Sequence, residues 1–260
     1  MSARSLRITL TTSARRVAAE RGGTLFTIAF YVLVTAVISG LWRAAAAARG
    51  GAIAGYSGVA LTWYLATSEG VTISMNPRLI ADIGADVASG TIAVELLRPA
   101  SVLAHRVATE MGRVLPRLVV CATVGVVLAF VIGGPAPDLA ALGLAAPSMV
   151  LAVGCNVVAQ HAFASAAFWL RDTGATWFLY QKLVFIVGGM LLPLETLPGW
   201  LHRTASVLPF QAMAYAPARL ASGHWEPHLL LQQVGWMAVL AVVAIAVFGA
   251  GERRLQVVGG

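Results

Sequence analysis

The sequence predicts an all-α integral membrane protein with six transmembrane helices. A helix on the cytoplasmic side joins spans two and three, and a re-entrant extracellular hairpin joins spans five and six. Three observations carry this prediction. First, 58% of the 260 residues are hydrophobic and only 11% charged, with a mean hydropathy of +0.80; a soluble domain is about 45–50% apolar and about 25% charged. Second, six stretches approach the roughly 20 apolar residues that a bilayer crossing needs. Third, the positive charges fall mostly on one side of those stretches.

The spans lie at about 24–42, 52–73, 114–132, 145–170, 176–194 and 229–249, within a single domain over 1–260. The first follows a basic stretch, as in a signal peptide, but its 19 residues exceed an h-region of about 7–15, so it is read as an uncleaved span. With the N-terminus inside, the cytoplasmic side holds Arg4, Arg7, Arg15, Arg16, Arg21, Arg78, Arg98, Arg106, Arg113, Arg117, Arg171, Lys182, Arg253 and Arg254. The outside holds Arg43, Arg49, Arg203 and Arg219. Fourteen against four predicts both termini inside and an even number of spans. This topology accounts for the net charge of +7, so basicity does not indicate a nucleic-acid partner. Cys121 and Cys155 sit in apolar runs and read as packing residues.

The cytoplasmic loop, 76–113, opens with NPRLIADIGADVASGTIAVELLRP. Pro77 suits a first helical position, with Asn76 or Ser74 as cap. Leu79, Ile80, Ile83 and Val87 form one apolar stripe, while Arg78, Asp82 and Asp86 line another face; Gly90 ends the helix. Such a helix either lies in the membrane interface or docks a cytoplasmic partner. Interfacial anchors are usually basic, and two aspartates favour the partner.

The extracellular loop, 195–228, belongs to a Pro-punctuated stretch, LLPLETLPGWLHRTASVLPF, with Pro193, Pro198 and Pro209. Thr196 is a candidate cap and Pro198 a helix opener, placing Leu197, Leu201, Ala205 and Leu208 on one side. The segment is too apolar for a free loop and too short to span, which predicts a re-entrant or interfacial hairpin continuing through 212–220.

The chain carries no nucleotide site of its own. A P-loop needs G-x-x-x-x-G-K-[ST], and the one lysine, Lys182, stands between Gln181 and Leu183. The polar groups within spans are Glu69, Asn156, Gln160, His161 and Lys182. Such residues suggest a substrate path or proton relay; the alternative places Glu69 and Lys182 at the inner boundary, pairing or snorkelling there. An ion-coupled transporter or channel would draw on Glu69 and His161. An intramembrane serine protease would draw on Ser57, in GYSG at 55–58, with His161; this resembles the G-x-S-G serine of rhomboid proteases, but the two residues fall at different depths. No Cys/His metal spacing and no carboxylate pair is present.

GTIAVELLRPAS at 90–101 resembles the G-x-[LI]-x-x-x-LLRP-x-S segment of ABC transporter permeases of the type-2 exporter class. The extracellular stretch is similar to the apolar "P…LP-x-W…L-P" segment that follows their fifth span. The resemblance implies a permease subunit without catalytic residues, metal or cofactor, in the bacterial plasma membrane. It implies pairing with a second permease copy or a related one, and seating on two ATPase subunits that bind ATP and Mg. It further implies a coupling helix over 77–89 with 95–99 beside it, formed by Arg78, Leu79, Asp82, Ile83, Asp86, Glu95, Arg98 and Pro99. Leu197, Trp200, Leu201 and Leu208 would form an extracellular gate, and residues 1–22 an interfacial helix. The exported substrate, whether drug, lipid, peptide or glycan, stays open.

Overall fold

The computed structural model describes residues 8, 11–13, 21–96, 101–170 and 173–258; the expected N-terminal interfacial helix lies largely outside them. Helix α1 (Arg21–Ala48) turns Leu25, Phe26, Phe30, Leu33, Val37 and Leu41 outward. Its inner face is pinned by Tyr31, fully buried, whose hydroxyl donates to the Ala66 carbonyl at 2.5 Å. Gly70 and Gly125 leave room for that ring: a Cβ on Gly125 would stand 2.4 Å from the Tyr31 oxygen.

The chain then makes a small antiparallel hairpin, β1 (Ala52–Ile53) and β2 (Tyr56–Ser57). Ala54 and Gly55 both take positive φ, the signature of a tight hairpin turn. Ser57 caps α2 (Gly58–Ser74), accepting from the Ala60 N–H at 3.2 Å. The second apolar run was expected to be helical from 52. The helix instead starts six residues later, because the positive φ angles at Gly50, Gly51, Ala54 and Gly55 commit the chain to turns. At 17 residues, α2 is about 26 Å long and almost wholly buried.

Two short helices, α3 (Leu79–Ala88) and α4 (Thr91–Leu96), fill much of the following loop. Pro77 precedes α3 rather than opening it: the Asn76 side chain accepts from the Arg78 N–H at 3.0 Å, an Asx turn that delays the helix. Gly90, at φ +75°, separates the two. Helix α5 (Val102–Leu128), capped by Ser101, ends in a π turn over Ala129–Gly133. It starts twelve residues before the apolar run at 114 because its first turns are helical yet carry Arg106, Glu110 and Arg113. Helix α6 (Leu139–Ala164), capped by Asp138, continues as a 3-10 turn over Ser165–Phe168.

Helix α7 (Gly174–Lys182) passes into a π turn over Leu183–Val187 and stops. The expected span to 194 is cut short at Gly188. A Cβ there would stand 2.3 Å from the Val184 carbonyl oxygen and 3.0 Å from that of Phe210, so crossing backbone occupies the site. Helix α2 holds the break from the side: Tyr64 donates to the Gly189 carbonyl and Ser68 to that of Met190 at 2.7 Å. The return segment holds a 3-10 turn (Leu194–Thr196), α8 (Gly199–Ser206), a second 3-10 turn (Pro209–Ala212) and α9 (Tyr215–Ala221). Pro198 is the residue before α8, and Thr196 bonds back to the Pro193 carbonyl instead of capping. Helix α10 (His228–Val258) closes the bundle against α6.

Among the described residues, four helices are long and apolar enough to cross a membrane: Leu25–Ala48, Val102–Gly133, Leu139–Phe168 and His228–Arg254. Helix α2 and the apolar stretch Gly174–Val187 are shorter. Helix α6 is the most enclosed of the long four. It is joined to α10 by Gln233, which donates to the carbonyls of Ser148 (3.0 Å) and Ala212 (2.9 Å) and accepts from the Ser148 hydroxyl (2.8 Å).

Candidate functional site

Three regions bring the chemically distinctive residues together. The first is the end of the bundle that carries α3 and α4. The apolar stripe of α3 points inward: Leu79, Ile80 and Ile83 are buried in a core cluster with Cys155 and Ala159 of α6 and Tyr180 of α7. Leu79 and Ile83 therefore anchor the helix instead of facing a partner. Arg78 and Asp82 are exposed. Asp86 and Glu95 are not free: Arg106 on α5 reaches both, Nη1 to Asp86 at 2.7 Å and Nε to Glu95 at 2.8 Å. One planar fork thus ties α3 and α4 to α5. Gly84 lets α3 lie directly on the residue before α7, since a Cβ there would stand 2.5 Å from the Thr173 hydroxyl oxygen. Val94 of α4 stays 66% exposed, an apolar side chain beside the charged face. Arg98 and Pro99 lie outside the described residues.

The second region is the opposite end. The residues expected to form a gate do not converge on one constriction. Leu197 packs with the cluster around Tyr64 and Leu194, Leu208 with the one around Phe210 and Met213. Leu201 is half-buried and Trp200 is 67% exposed. This end is instead held by a polar knot that periodicity did not indicate. Glu195 accepts from the Tyr215 hydroxyl (2.6 Å), the Tyr56 hydroxyl (3.2 Å) and Arg219 (3.1 Å). Arg219 also donates to the Tyr56 oxygen, pairs with Glu226 at 2.9 Å and lies over the Tyr56 ring. Burial opposes the charge on Arg219, but Tyr56, Glu226 and Tyr215 outweigh it and hold the guanidinium above its ordinary value. The His224 ring packs tilted against that of Tyr56, with centroids 4.8 Å apart, and meets the Ser222 hydroxyl at 3.0 Å; burial, then Arg219, lower its affinity for a proton. The available signal was the presence of Glu195 and Arg219 as isolated charges in an otherwise apolar return segment.

The third region is a cavity of about 680 Å³ between α1, α2, α5, α6 and α7. It gathers three of the five polar residues found within spans: Glu69, Asn156 and Gln160. Glu69 is 3% exposed, and its Oε1 has no hydrogen-bond partner. Gln160 donates to Asn156 at 3.4 Å while its own Oε1 stays bare. The Tyr180 hydroxyl donates to the Asn156 side chain. His161 does not line this cavity; its Nδ1 faces the Val157 carbonyl at 2.8 Å within α6. Lys182 is exposed, its ammonium over the rings of Phe178 (5.1 Å) and Phe185 (5.7 Å). Ser57 caps the start of α2, while His161 lies in the last turn of α6, at the α3 end. The two stand at opposite ends of the bundle, so no Ser–His pair forms.

A search of curated proteins finds no match to the chain. A family comparison does: residues 27–259 match the ABC-2 family transporter protein, an extent that takes in most of α1 and every helix from α2 to α10. The chain therefore belongs to the ABC-2 transporter family, as a multi-pass membrane component of an ABC transporter.

Proposed function

We propose that the chain is the permease subunit of an ATP-driven exporter, and that α3 with α4 receives the motion of the ATPase. In this reading six segments cross the membrane, with α2 and the stretch Gly174–Val187 as short spans around which the bilayer thins. A second copy or a related permease completes the membrane part. Two ATPase subunits bind ATP and Mg on the cytoplasmic side, which is the α3 end by the distribution of positive charge.

One observation carries the proposal. Helix α3 has an exposed charged edge, Arg78 and Asp82, and a buried edge, Leu79 and Ile83, seated on α6 and α7. A load applied to the exposed edge passes into α6 through the buried leucine and isoleucine. It passes into α5 through Arg106 and into α7 through the Gly84–Thr173 contact. Packed cores transmit such displacements because they have little free volume. The knot around Glu195 then holds the extracellular end closed at rest and must part for release.

The test is affinity purification of the tagged full chain in mild detergent. A stoichiometric partner carrying a P-loop, with ATPase activity in the eluate, is the expected result. A clean single species without ATPase activity, from membranes that express the neighbouring genes, overturns the proposal.

A further inference from the structure

The cavity of about 680 Å³ between α1, α2, α5, α6 and α7 is long and graded in polarity. Its lining on α1 runs from Gly23 to Ile38, a length of about 22 Å of helix. That is half of the roughly 40–45 Å that a bilayer measures with its headgroups, so the cavity reaches across one leaflet. At the α3 end the lining includes Asn76, Pro77 and Arg117; at the far end it is Val34, Ile38, Met190 and Leu191. Phe26 and Phe30 line the space and are also exposed on the outer face of α1, so the cavity opens past α1 toward the lipid.

Arg117 is the one basic residue in that lining. It is half-buried, and among the described residues it makes no hydrogen bond or ion pair. The carboxylate of Glu110, whose field it shares, takes its guanidinium contact from Arg113 at 3.5 Å. The polar groups midway along the cavity do not answer Arg117 either. Asn156 is bonded to Tyr180 and Gln160, and Oε1 of Glu69 and of Gln160 are buried away from the space. Glu69 also lies deeper than the guanidinium. Cys121, one turn beyond Arg117, has its carbonyl beside Gly70, and a helical side chain leans toward the N-terminus of its helix, here the α3 end. A half-buried arginine without an acceptor favours an anion, and its planar fork matches a phosphate. Basic groups between helices on the cytoplasmic side hold anionic headgroups on the same principle. Beyond Arg117 the far end of the cavity offers apolar wall, which an acyl chain fills.

Resting on the transport reading above for which end is cytoplasmic, we propose that this cavity holds an anionic phospholipid of the inner leaflet. Its phosphate pairs with Arg117, and one acyl chain runs along the cavity toward Val34, Ile38 and Leu191.

The test is photolabelling of the full chain in phosphatidylcholine nanodiscs, without ATPase or ATP. The two probes, each at trace level, are phosphatidylglycerol and phosphatidylcholine carrying the same diazirine in one acyl chain, and labelled residues are located by mass spectrometry. In wild type the phosphatidylglycerol probe is expected to label residues 34–38 and 184–191 about fivefold more than the phosphatidylcholine probe, the worth of one basic side chain beside an anionic lipid. Arg117→Gln should cut that preference to less than twofold. Arg254→Gln, which removes an exposed charge on α10 outside the cavity, should keep it. Val34→Trp, which fills the far end from α1, should lower cavity labelling by both probes about fivefold and leave labelling of the outward Leu231 and Val242 unchanged. The proposal is overturned by equal labelling from the two probes in wild type, or by a preference that Arg117→Gln leaves intact or Arg254→Gln abolishes. It is also overturned by a folded Val34→Trp that labels within twofold of wild type, or by a cavity that takes no label because a second copy of the chain seals its mouth. Because the assay omits the ATPase, its failure leaves the permease reading standing. Loss of ATPase co-purification with intact cavity labelling does the reverse.

Discussion

Arg106 on α5 and Asp86 on α3 meet at 2.7 Å, with the guanidinium side chain 13% exposed and the carboxylate 36%. The same guanidinium holds Glu95 of α4 at 2.8 Å, so one side chain ties together three helices that are short or separated in sequence. Replacing Arg106 with Ala leaves two neighbouring carboxylates without their common partner. The expected loss is roughly 1–2 kcal/mol, between that of an exposed and a fully buried pair. Arg106→Lys restores charge but not the two-pronged geometry and should fall between. Thermal unfolding in detergent, followed by tryptophan fluorescence, checks the order wild type, Lys, Ala.

Gly84 sets how closely α3 lies on the start of α7. A methyl group there meets both the hydroxyl oxygen and the methyl carbon of Thr173 inside 3.0 Å. Gly84→Ala should therefore cost about 1–3 kcal/mol by overpacking and lower the ATPase activity of the assembled complex. The variant combined with Thr173→Gly should recover most of both, which a simple helix-propensity effect would not do.

Gln233 is fully buried and makes three hydrogen bonds that join α10, α6 and the turn before α9. Gln233→Leu leaves the Ala212 carbonyl bare and the Ser148 hydroxyl without its acceptor in an apolar setting, while the Ser148 carbonyl keeps its partner within α6. A loss of about 1–3 kcal/mol per stranded group should appear as a clear fall in melting temperature. Gln233→Leu with Ser148→Ala should recover only the Ser148 hydroxyl's share.

His224 predicts a pH response at the Glu195 end. Its folded-state proton affinity is lowered, first by burial and then by Arg219, against smaller opposing effects from Glu226 and Glu195. A base with a depressed folded pKa binds more protons when unfolded. Its stability contribution is thus complete above the ordinary value of 6.5 and is lost as pH falls below it. Melting temperatures from pH 7.5 to 5 should drop more for wild type than for His224→Gln, a comparison that cancels the remaining histidines. Equal slopes would contradict the assignment.

Much of the fold was legible because hydropathy and helical period report burial directly. Leu79, Ile80 and Ile83 recur at helical spacing and are the buried edge of α3, and Gly90 marks its end. What escaped was set by contacts between distant segments or by backbone geometry. Arg106 pairs with residues 20 and 11 positions away, beyond any local period, so Asp86 and Glu95 read as free surface charges. The knot around Glu195 draws Tyr56, Tyr215, Arg219 and Glu226 from separate turns. The run 183–194 carries no polar side chain, and hydropathy could not register that the Phe210 carbonyl crosses at Gly188. The cavity gathers Glu69 and Gln160 but not His161, because the His161 ring turns back along its own helix toward Val157.

The most direct measurement on the central claim is cross-linking between α3 and the ATPase in the assembled complex. Ala85 is exposed on α3, and the two native cysteines, Cys121 and Cys155, are buried. Ala85→Cys, treated with a short bifunctional thiol reagent, should join the ATPase subunit, with a yield that changes when ATP is added. Trp200→Cys, exposed at the other end, should not join it. A cross-link from position 200 and none from position 85, in a complex that retains ATPase activity, would contradict the placement of coupling at α3.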